Sequence, residues 1–110
     1  MNIDEMTIGE FKELSNLFQQ QKTESMYQRF HSKNVLIRTV AMIYTGKLIE
    51  ETESELLLND TAWIPDTGRW TDSLKSCEFA EVEPYVNDVI INKGAILDVT
   101  MIDYLPKDQK

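Results

Sequence analysis

Val35-Leu36-Ile37-Arg38-Thr39-Val40-Ala41-Met42-Ile43, followed by Thr45-Gly46-Lys47-Leu48-Ile49-Glu50 and Glu55-Leu56-Leu57-Leu58-Asn59-Asp60-Thr61-Ala62-Trp63-Ile64, is the stretch that decides the fold. Its residues are mostly β-branched or aliphatic, the types that suit a pleated, half-buried surface. Glu51-Thr52-Glu53-Ser54 punctuates it with turn formers. Residues 35–64 therefore read as a three-strand meander. Gly46 marks a bend or bulge, because a strand glycine gives up packing and is kept where the backbone must turn sharply.

Downstream, Pro65-Asp66-Thr67-Gly68 ends the meander with turn chemistry, and residues 69–76 have room for one or two helical turns. Glu81-Val82-Glu83-Pro84-Tyr85-Val86 reads as extended, and Pro84 places it at a sheet edge. Val89-Ile90-Ile91 and residues 95–102 are two further strands, separated by the Lys93-Gly94 turn. The polar tail from Pro106 onward is expected to fray. Upstream, Thr7 and Glu10 have capping-box spacing, and Met6 and Phe11 form a hydrophobic staple. Ile8, Phe11, Leu14, Leu17 and Phe18 follow as one apolar stripe at helical period, which predicts a helix over 8–20. Residues 21–34 read as a polar linker with local order around Tyr27 and Phe30. The expected organisation is a single domain over 1–110, mainly β (α+β). An N-terminal helix precedes a small bent barrel of five or six strands over 35–104.

Composition narrows the function. The 110 residues fit one domain, and 42% hydrophobic with 27% charged is a globular balance that argues against wholesale disorder. A net charge of −8 repels phosphate backbones, so binding to a DNA or RNA backbone is not expected. The acidic run Glu50, Glu51, Glu53, Glu55 and Asp60 reads as a solvated hairpin. With one cysteine, Cys77, no intrachain disulfide can form, which suits a reducing compartment. No signal-peptide pattern and no membrane-length apolar run is present, so a cytoplasmic protein is expected.

Candidate chemistry is sparse. One histidine, His31, and Cys77 stand in no ligand-spaced motif, so no metal or cofactor is expected. A Cys–His or Ser–His nucleophile would depend on His31 alone, in the polar linker, and no enzymatic activity is expected. The informative cluster is Trp63-Ile64-Pro65-Asp66-Thr67-Gly68-Arg69-Trp70. Indoles stack on bases and an arginine can pair bidentately with phosphate. Arg38 is a second unusual cation on an apolar strand, and burying it needs an anion or a carboxylate partner. Two readings stand. Arg38, Trp63, Asp66, Arg69 and Trp70 form a pocket for a nucleotide-like anion, or the tryptophans cap the barrel end while Arg38 pairs with Asp60 or Asp98.

Two resemblances add direction. Gly46-x-Leu48 and the strand ending Leu56-Leu57-Leu58-Asn59-Asp60-Thr61-Ala62 resemble the first motif of Sm-like proteins. Thr52 and Leu56 stand where that motif carries an Asp and an RNA-binding Asn. The resemblance implies a bent SH3-type barrel and subunit pairing more than an RNA-binding ring. Nearly the whole chain also resembles a family of small uncharacterised phage and prophage proteins. The shared stretches include Met6-Thr7-Ile8-Gly9-Glu10, Ile37-Arg38-Thr39-Val40, Ala62-Trp63-Ile64-x-Asp66-x-Gly68-Arg69, Glu81-Val82-Glu83-Pro84 and Leu105-Pro106-x-x-Gln109-Lys110. It implies a phage accessory protein acting in the host cytoplasm. The expected function is that of a non-enzymatic homo-oligomer sequestering a nucleotide-derived signal of bacterial defence. The alternatives are an acidic protein-interaction module that inhibits a host protein and an Sm-like RNA-binding ring.

Overall fold

A computed structural model describes residues 25–110, so the helix expected over 8–20 and the first part of the linker lie outside the described residues. A 3-10 turn at Met26–Phe30, capped by the Ser25 hydroxyl, leads into the sheet. The sheet consists of β1 (Asn34–Thr39), β2 (Ile43–Glu51), β3 (Glu55–Asp66), β4 (Glu81–Pro84), β5 (Val89–Asn92) and β6 (Ile96–Met101). One short helix, α1 (Trp70–Ser76), sits between β3 and β4. The fold is thus mainly β, and among the described residues all strand pairings are antiparallel. The order is β4-β3-β2-β1-β6, with β5 pairing the first half of β3 and β4 the second half.

The meander forms as its composition dictates, with one difference. Val35–Ile43 is not one strand, because the chain turns at Val40–Met42. The Thr39 hydroxyl makes that turn: it donates to the Met42 carbonyl at 2.7 Å and accepts from the Met42 N–H at 2.9 Å. At the other end, β3 runs on through Pro65 to Asp66.

Two bulges bend the β2–β3 pair. Thr45 faces Ala62 but Lys47 faces Asn59, so β3 carries one extra residue there. Leu48 faces Leu58 but Glu50 faces Leu57, so β2 carries the extra residue in its turn. The first bulge lies at Gly46 and Asp60. Asp60 takes a left-handed backbone (φ 47°), and a Cβ on Gly46 would stand 3.0 Å from Thr61 Oγ1 and 3.3 Å from the Asn59 carbonyl. A side chain at this position would have to push its neighbours back by a few tenths of an ångström, so glycine suits the close approach of the strands.

The extra residue also switches faces. Leu56 and Leu58 point to one side, where they join Val35, Ile37, Leu48 and Ile91 in a buried cluster. Past the bulge, Ala62 and Ile64 point to the other side and join Leu36, Cys77, Phe79, Val82 and Ile102. The sheet therefore has an apolar cluster on each face. The first is completed by Tyr27 and Phe30 of the 3-10 turn, the local order expected of the linker. The second is covered by Leu74 of α1 and Leu105 of the tail. The tail does not fray: Lys110 and Val82 exchange both backbone hydrogen bonds, each 2.9 Å long, which ties the terminus to β4. Among the described residues, no helix is long and apolar enough to cross a membrane.

Candidate functional site

The cluster around the Pro65 turn is built by local chemistry. Asp66 Oδ1 accepts the Gly68 N–H at 2.8 Å, and the Thr67 hydroxyl donates to the Gly68 carbonyl at 2.9 Å. Gly68 has φ 74°, a conformation that would strain a side chain there. Asp66 is thus spent on holding the turn, an Asx-type closure that aims the chain into α1. Arg69 occupies the N-cap position in extended backbone, and its carbonyl accepts from Ser73 at 2.9 Å. Its side chain is exposed, and among the described residues it has no ion-pair partner.

Trp70 opens α1 and meets Arg38 of β1. The guanidinium carbon lies 5.3 Å from the indole centroid, within cation–π reach. Arg38 stands directly opposite Asp98 in the β1–β6 register. Its Nε donates to Asp98 Oδ1 and Oδ2 at 2.9 and 3.0 Å, and Nη2 also donates to Oδ2. The hydrogen bond and the charge of Arg38 hold the Asp98 carboxyl below its ordinary value. Of the two carboxylates weighed from sequence, Asp98 is the partner. The register shifts by one residue after that pair, at Leu97, whose side chain is exposed, and the Val40 N–H then donates to the Ala95 carbonyl at 3.0 Å. Arg38 and Trp70 thus form one accessible, partly aromatic surface, with Asp98 fixing the orientation of the guanidinium, and the exposed Arg69 precedes Trp70 in the chain.

Trp63 is not part of it. Ile64 faces the cluster that α1 covers, so Trp63 faces the other side of β3, where Tyr44 and Glu83 are its strand neighbours. The two indoles, close in sequence, are separated by the sheet. Neither plugs a core, since Trp63 is 38% and Trp70 37% exposed.

Sequence reasoning passed over a second constellation of similar design. Lys93, in the 3-10 turn Lys93–Ala95 that joins β5 to β6, pairs with Glu51 at the end of β2. Its ammonium lies 5.1 Å from the Tyr27 ring centroid. Burial pushes the Glu51 carboxyl up, but hydrogen bonds from Lys93 and Ser25 outweigh it and leave the group below its ordinary value. The available signal was Tyr27 in an otherwise polar linker; nothing in the sequence paired it with Lys93.

Among the described residues, no three His, Cys, Asp or Glu side chains gather as metal ligands would. Cys77 is buried at the left-handed end of α1 (φ 59°), where its sulfur accepts the Tyr104 N–H at 3.4 Å, an arrangement that occupies the thiol structurally. Compared with protein-family models and with curated proteins, the chain matches none.

Proposed function

We propose that this chain is a non-enzymatic, oligomeric binding protein of the phage accessory type. On this reading it sequesters a small nucleotide-derived signal of bacterial defence on the Arg38–Trp70–Arg69 surface. The observation that carries the reading is the part-exposed indole of Trp70 under the oriented guanidinium of Arg38, with Arg69, exposed and without an ion-pair partner among the described residues, next to it in the chain. An indole face accepts a base by stacking, and Arg69 supplies the uncompensated charge for phosphate. Arg38 contributes shape more than charge, because Asp98 already neutralises it. The phage-family resemblance gives the biological direction.

The bent sheet is read as a small Sm-like or SH3-type barrel. The two bulges in the β2–β3 pair and the apolar cluster enclosed between β1, β2, β3 and β5 support this. Exposed Ile90 on β5, and Leu97 and Met101 on β6, are apolar groups at strands with an open edge, which favours a second copy alongside.

Incubation with a panel of cyclic dinucleotides and cyclic ADP-ribose isomers tests the function. A thermal shift and co-purification of one member are expected, both lost in Arg69→Gln. No shift and no retention across the panel would overturn the reading. A second reading, an acidic protein-interaction module, is favoured by the net charge of −8 together with exposed apolar Val40 and Leu97, which lie within two residues of Arg38 and Asp98 in the chain. Arginine and tryptophan are also the residues most enriched at protein interfaces' energetic centres. Salt-sensitive capture of a basic host protein, without small-molecule binding, would support it.

A further inference from the structure

A cleft of about 380 Å³ opens at the far end of β1 from Arg38, lined by Ser32, Lys33, Asn34, Lys47, Met101 and Asp103, with Ile102 at its base. Its charge runs against the rest of the molecule. In a chain of net charge −8, two lysines share this cleft, and neither has a carboxylate partner among the described residues. The register explains how Lys47 stays uncompensated. It pairs with Asn34 on β1 and Asn59 on β3, so its flanking side chains are neutral amides where an acid would neutralise it. The Asn34 amide is turned to the Asp103 carbonyl at 3.2 Å, which fixes the wall that carries the Asp103 carboxylate. Ser32, held in a left-handed backbone (φ 62°), brings a hydroxyl to the rim, 3.2 Å from His31 Nδ1.

We infer that this cleft binds a small phosphorylated sugar. Lys33, Lys47 and the Ser32 hydroxyl are donors suited to a phosphate monoester. Asp103 is a pure acceptor, which repels a bare anion but accepts hydrogen bonds from sugar hydroxyls. Met101 supplies an apolar wall, and the volume lies in the range of small-ligand sites. Two cations and one carboxylate select a ligand that carries an anion at one end and hydroxyls at the other. The site is separate from the Arg38–Trp70 surface, because buried Leu36 stands between Asn34 and Arg38 on β1. It does not depend on the function proposed above.

Amide-resolved NMR of the full chain, titrated in parallel with ribose 5-phosphate, ribose and inorganic phosphate, tests it. Ribose 5-phosphate is expected to give saturable shifts confined to residues 32–34, Lys47 and 101–103, tighter than either part alone. Lys33→Gln and Lys47→Gln should each weaken it about tenfold; Lys33 is exposed, so that variant reports binding even if Lys47→Gln disturbs β2. Asp103→Asn should act with opposite signs, weakening ribose 5-phosphate and strengthening inorganic phosphate. Absence of saturable shifts, lysine variants that bind like the parent protein, or an Asp103→Asn effect of the same sign on both ligands would each overturn the inference.

Discussion

Two parts of this molecule each combine a cation, a carboxylate and an aromatic ring, and they differ in burial. In one, the Lys93 ammonium lies over the Tyr27 ring and is clamped by Glu51. In the other, the Arg38 guanidinium lies over the Trp70 ring and is clamped by Asp98. The lysine pair is mostly buried, with 18% and 15% of its side chains exposed, whereas the arginine pair is open, at 43% and 47%. The first joins three separate pieces of chain: the 3-10 turn before β1, the end of β2 and the turn between β5 and β6. The second also joins three pieces of chain, the paired strands β1 and β6 and the start of α1, but leaves its ring 37% exposed. A cation, an acid and an aromatic ring thus make a buried staple where water is largely excluded, and an open, solvent-facing cluster where it is not, the one on which the proposed function rests. Composition alone does not separate the two.

Breaking each constellation sharpens the contrast, and the buried one should give the larger effect. Glu51→Gln is expected to lower the unfolding free energy by about 1–2 kcal/mol, the range for a charge-assisted contact with little solvent to replace it. Urea denaturation measures it, and a change within error would make the two pairs equivalent. The same residue sets a pH dependence. Its carboxyl titrates lower in the folded protein than in the unfolded chain. Its contribution is therefore present above the unfolded value and is lost as pH falls through the folded one. Stability of the parent protein should drop on acidification below the ordinary carboxylate range, and Glu51→Gln should flatten part of that drop. Asp98→Asn should barely move the urea midpoint, as expected of an exposed ion pair. It should instead tighten any anionic ligand on the Trp70 surface, because it frees Arg38.

The comparison also shows what could be read from the sequence. The meander was legible because Val35–Ile37 and Leu56–Leu58 carry strand composition, and Gly46 was legible as a bend because its packing deficit needed a reason. The turn at Val40–Met42 was hidden, since those residues are apolar and the turn is closed by one hydroxyl of Thr39. The change of face at Asp60 was hidden too. Simple alternation puts Ala62 and Ile64 on the side of Leu58, and only a left-handed residue inside β3 sends them to the other. For the site, Arg38 needed a partner, and its type was legible. The choice of Asp98 over Asp60 required the β1–β6 register. Trp63 and Trp70 looked like one cluster because sequence proximity cannot show that a strand lies between them.

On the proposed function, the open constellation recognises a ligand through Trp70 and Arg69. In a Trp63→Phe background Trp70 is the sole indole, so its fluorescence reports that surface directly. Titration with the panel compound that co-purifies should give saturable quenching, abolished by Arg69→Gln at unchanged stability. Flat emission throughout the titration, or quenching that Arg69→Gln leaves intact, would contradict the account.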